Sequence, residues 1–154
     1  RNDKKYKYGT LLTFGGNNTA LEYITHGIVS RDEGDYSWTN DVSCGFEFEL
    51  EKAPKRDLLV TIDIAQVYAE NGAQNVVCYA NDVECYKGSF LGETKLRFMI
   101  PENVIGEDKK LLLHIELPDA VVPIEINNGK DDMERISHEL ARLLIEQMSE
   151  SSDR

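Results

Sequence analysis

The sequence predicts an all-β fold, a two-sheet antiparallel sandwich of the jelly-roll kind. Three observations predict it. Apolar and polar residues alternate strictly in several short runs, turn residues and prolines separate those runs, and no long helices lie between them.

Residues 44–50 put Cys44, Phe46, Phe48 and Leu50 on one face and Gly45, Glu47 and Glu49 on the other. A strand has a period of two, so the first set faces a core and the second faces water. Residues 57–65 repeat the pattern with Leu58, Val60, Ile62 and Ile64, after a connector whose Pro54 cannot join a central ladder. Residues 74–80 and 83–88 flank Asn81-Asp82, a pair that tolerates positive φ, and together read as a hairpin. Residues 94–100 turn Leu96, Phe98 and Ile100 inward, and Pro101 ends that run. Residues 111–117 turn Leu111, Leu113, Ile115 and Leu117 inward and Leu112, His114 and Glu116 outward, before Pro118. The expected core is Phe46, Phe48, Val60, Ile62, Ile64, Leu96, Phe98, Leu113 and Ile115, within at least seven strands. Residues 133–148 are the exception. Ile136, Leu140, Leu143 and Leu144 fall at helical spacing there, although tertiary pairing overrides propensity of this kind.

The chain of 154 residues is expected to form a single sandwich over residues 1–148, with a flexible acidic tail at 149–154. It opens on Arg1, which fits a piece of a longer polypeptide. A formal charge of -11 makes nucleic acid and anionic membrane surfaces poor partners, while neutral sugars stay compatible. No apolar run approaches the roughly 20 residues that cross a bilayer, and nothing reads as a signal peptide, so membrane insertion is not expected. Three cysteines, Cys44, Cys78 and Cys85, are too few for a disulfide framework and suit a cytoplasmic setting. One bridge between Cys78 and Cys85 across the hairpin is conceivable.

The richest binding inventory lies in residues 31–38. Trp38 and Tyr36 offer faces on which a sugar stacks, and Glu33 and Asp35 offer carboxylates for its hydroxyls. The competing expectation makes Trp38 a core plug at a strand start. Asp32, Glu33 and Asp35 also have the makings of a paired-carboxylate acid/base site. Asp32, Asp35, Asp131 and Asp132 are the weak candidates for calcium, the one cofactor left open, and no EF-hand loop is present. Residues 127–132 read as a tight turn, and His114 reads as a surface residue. No nucleophile elbow, phosphate loop or dinucleotide fingerprint occurs, which favours a non-enzyme.

Residues 111–137 resemble the closing stretch of a β-sandwich accessory domain found beside bacterial glycosyltransferases and surface-polysaccharide biosynthesis modules. Pro118-Asp119-Ala120, Pro123 and Asp131-Asp132 carry the match, with Glu134 where that family has an arginine and Arg135 beside it. Ser30, Glu33 and Trp38 keep the offsets of a second motif, although Ile28 and Val29 replace its glycine and first tryptophan. The resemblance spans roughly residues 8–147. It implies a jelly-roll, galactose-binding-like sandwich whose final segment, residues 137–145, is a strand. It further implies a non-catalytic module that binds glycan or positions the catalytic domain of its parent protein. A docking or homodimerising domain without ligand is the alternative, and a glycan hydrolase or lyase on a jelly roll is the third reading.

Overall fold

Ten strands carry the fold in the computed structural model, which describes residues 4–16, 18–29, 34–123 and 135–149. They are β1 (Leu11–Thr13), β2 (Ile24–His26), β3 (Ser37–Trp38), β4 (Ser43–Glu49), β5 (Leu58–Val67), β6 (Gln74–Ala80), β7 (Val83–Phe90), β8 (Thr94–Ile100), β9 (Lys110–Glu116) and β10 (His138–Gln147). One sheet runs β1-β10-β5-β8, with β3 also paired to β10; the other runs β2-β4-β9-β6-β7. Every strand pair is antiparallel. The fold is the all-β jelly-roll sandwich that alternation predicts.

Alternation decides the core. All nine residues expected inside are at most 4% exposed. Phe48 lies at the centre, with the rings of Tyr23 at 4.9 Å and Tyr6 at 5.3 Å. The Asn81-Asp82 turn takes φ of 48° and 69°, the left-handed pair that matches the twist of a two-residue hairpin. The cysteines of that hairpin are not bonded to each other. Cys78 pairs with Tyr86, a bulge follows, and Cys44, Cys78 and Cys85 are all free thiols. Burial pushes Cys78 up to about 12, which keeps it a protonated, unreactive core residue.

The segment with helical spacing is strand β10, and a bulge accounts for its mixed pattern. Leu140 pairs with Ile64 and Arg142 with Asp63, so Ala141 is the extra residue. The bulge resets the side-chain parity, and Leu140 and Leu143, three apart, both reach the core. An unbulged strand would have put them on opposite faces. β10 is also clasped by Tyr6, whose buried hydroxyl accepts from the Ile145 N–H at 2.9 Å and donates to the Thr10 carbonyl at 2.6 Å.

Candidate functional site

The aromatic patch singled out in the sequence divides between wall and surface. Trp38 is half-buried in β3, opposite Glu139 of β10, while Ser37 is buried beside it. Tyr36 stays 43% exposed, and Asp35 is exposed. The backbone at 34–36 is held by Gly15, whose φ of 89° and lack of a side chain let the Gly34 carbonyl approach to 2.5 Å from where a Cβ would stand. The Gly15 N–H donates to Ser37 Oγ at 3.2 Å, and the Gly16 N–H to the Gly34 carbonyl at 2.9 Å. Glu33, Asp32, Asp131 and Asp132 lie outside the described residues.

Tyr36 borders an open depression of about 310 Å³ on the outer face of the first sheet, with Asp63, Lys95 and Arg142. Lys95 Nζ donates to one Asp63 oxygen at 2.9 Å and Arg142 Nε to the other at 2.8 Å. Burial alone would raise the Asp63 carboxyl, but these two hydrogen bonds outweigh it and hold it below the usual range. Among the described residues no three His, Cys, Asp or Glu side chains converge as metal ligands.

A larger concavity, of about 510 Å³, opens on the outer face of the second sheet. Strand register assembles it. His26 pairs with Gly45, Gly45 with His114, and His114 with Tyr79, so one row crosses β2, β4, β9 and β6. Three inter-strand spacings make that row about 14 Å long. Gly45 is buried and lets its neighbours lie against the strand: a Cβ there would come within 2.7 Å of the His26 ring and 2.8 Å of the Thr25 hydroxyl. The imidazoles of His26 and His114 stack at 5.8 Å with 27° between planes, and the Tyr79 ring lies 6.0 Å from His114.

The polar groups of this row are held in place. His26 Nδ1 meets Thr25 Oγ1 at 2.9 Å and its Nε2 meets Ser43 Oγ at 3.0 Å. The Tyr79 hydroxyl donates to Glu116 Oε1 at 3.4 Å, and His114 Nε2 lies 3.8 Å from Glu116 Oε2. Loss of water, then the charges of Glu116 and Glu84, push the Tyr79 phenol upward, so it remains a donor at neutral pH. A second depression of about 220 Å³ continues from Thr25 past Glu47, Glu49 and Lys110. Parity predicted that His114 and Glu116 face outward, but only the register places them beside His26 and Tyr79.

Two Ser–His contacts occur among the described residues, and neither has the geometry of an activated nucleophile. Beside Ser43, the distal nitrogen of His26 meets a threonine hydroxyl where a hydrolase places a carboxylate. Ser137 Oγ lies 2.6 Å from His138 Nδ1, but both residues are buried, at 0% and 1% exposure.

No family model matches the chain, and no curated protein is similar to it in sequence. Solved structures are similar in fold. A family GH115 4-O-methyl-α-glucuronidase with specificity for decorated arabinogalactans superposes with a TM-score of 0.59 at 9% identity, over 95% of this chain and 18% of its own. A mosquito-larvicidal toxin from Bacillus thuringiensis gives 0.57 at 8% identity, over 94% and 25%. A ruminal GH26 endo-β-1,4-mannanase gives 0.53 at 9% identity, over 96% and 27%. The chain thus spans between 18% and 27% of these three proteins. At this identity the likeness is one of fold.

Proposed function

We propose that this chain is a non-catalytic module that binds glycan on the outer face of the second sheet. The observation that carries the reading is the row His26, Gly45, His114 and Tyr79, which lines an open concavity with the His26 ring seated over Gly45. Flat rings offer surfaces for sugar C–H faces, while Thr25, Ser43, Tyr79 and Glu116 supply hydroxyls and a carboxylate for sugar hydroxyls. The absence of an activated nucleophile beside either serine supports binding over catalysis. Two of the fold neighbours are named as glycan-active enzymes, of which this chain matches only a fraction. That favours a module within a larger carbohydrate-active protein. A glycosyltransferase as that parent rests on the sequence resemblance alone, and the cytoplasmic setting rests on the cysteine count.

The Tyr36 depression is the second location on which the reading can rest, because an exposed ring lies there beside Arg142 and Lys95. Titration calorimetry against neutral oligosaccharides separates the two. An open trough buries little of its ligand, so dissociation constants roughly in the micromolar-to-millimolar range are expected, about 4–8 kcal/mol of binding. Tyr79→Ala should weaken binding about ten-fold and Tyr36→Ala should leave it unchanged. The reverse result moves the site to the first sheet. Silence across all neutral glycans removes the reading in favour of a docking domain.

A further inference from the structure

The charge of the trough bears on which glycans it takes. Among the described residues lining the larger concavity there is no lysine or arginine, while Asp82 and Glu116 contribute carboxylates. Glu84 lies close enough for its charge to act on the Tyr79 phenol. In the adjoining depression both lysines already face carboxylates, Lys4 to Glu22 at 3.8 Å and Lys110 to Glu47 at 4.0 Å. The two depressions share Thr25, so a ligand longer than one sugar ring passes from one to the other over the same carboxylate-lined surface.

We infer that the trough selects against acidic glycans and takes linear chains that are neutral or carry amines, an inference that rests on the glycan reading above. A uronate carboxylate entering this surface meets Glu116 and Asp82 with no lysine or arginine among the described lining residues of the concavity to pair with it. Bringing a like charge there also removes water from both partners, which adds to the repulsion. An amine placed near Glu116 gains an ion pair that salt weakens. A neutral chain depends only on ring stacking and hydroxyl hydrogen bonds, and is insensitive to salt.

Matched oligosaccharides test this without changing the backbone of the sugar. Oligogalacturonides are compared with their methyl esters, and N-acetylglucosamine oligomers with their deacetylated, amine-bearing forms, by calorimetry at about 20 mM and 500 mM salt. The esters should bind at least ten-fold more tightly than the acids at low salt, and the amine-bearing chains should bind no more weakly than the acetylated ones. Glu116→Gln should narrow the ester-to-acid gap several-fold. Uronates that bind as tightly as their esters overturn the inference and leave the glycan reading standing. If no member of either pair binds, the glycan reading itself falls.

Discussion

On the outer face of the first sheet, Asp63 is gripped by Lys95 and Arg142 at 2.9 and 2.8 Å, so its charges are matched within the protein. On the outer face of the second, His26, His114 and Tyr79 line the trough, tethered at their edges by Thr25, Ser43 and Glu116, with the two imidazoles stacked on each other. The first face shares one carboxylate between two cations. The second fixes the orientation of its rings through hydrogen bonds to their edges, which preorganises them. Both faces rest on one core, and three experiments can separate the roles.

The largest effect should come from the shared support. Phe48 is 0% exposed and packs on Tyr6 and Tyr23, so Phe48→Ala should cost about 3–5 kcal/mol in urea unfolding and impair both faces together. A loss below about 1 kcal/mol would contradict the packing described.

Acid should then act from the side of β10. Burial holds His138 neutral, with its pKa lowered to about 4, and its Nε2 has no hydrogen-bond partner among the described residues. The unfolded chain takes up this proton near pH 6.5. The stabilisation is therefore complete above about pH 6.5 and is lost as pH falls toward 4, with about 3 kcal/mol at stake in order of magnitude. Asp63, also held low, adds to the loss at the acid end. Unfolding at pH 7 and pH 4.5, with an NMR titration of the His138 ring, reads the effect. Equal stability at the two values, or a ring titrating near 6.5, would place His138 in contact with water.

The smallest effect should be Asp63→Asn. Its partners are half-exposed, so the change should cost about 1 kcal/mol or less and leave neutral-glycan affinity as it was. A marked loss of binding would shift the site to the Tyr36 side.

The sequence was informative wherever a single strand carried its own period. Val60, Ile62 and Ile64, or Leu96 and Phe98, declare their face without reference to any neighbour, and the Asn81-Asp82 pair declares its turn. Legibility fails where position depends on register between distant segments. His26, Gly45, Tyr79 and His114 are scattered over nearly ninety positions, and only the order β2-β4-β9-β6 brings them into one row. The bulge at Ala141 is illegible for a related reason, because one extra residue converts a strand into a pattern with helical spacing. Of the four sugar-binding candidates read from sequence, Trp38 is half-buried in β3 and Tyr36 is 43% exposed. Asp35 is exposed, and Glu33 lies outside the described residues. Side-chain inventory names chemical capacity, whereas the strand pairing decides which capacities meet.

The position of β10 has a consequence for biosynthesis. It is the last of the ten strands in sequence, yet it lies between β1 and β5. During synthesis β4, β6, β7 and β9 can pair as soon as residue 116 has left the ribosome, and the second sheet can close early. β1 must wait for a partner made some 130 residues later, and β5 has an unpaired apolar edge until then. That interval is when a nascent chain is most open to mispairing with its neighbours. Slowing translation after residue 116 has left the ribosome but before residues 138–147 have emerged should therefore raise aggregation of the nascent chain more than the same pause placed after they have emerged.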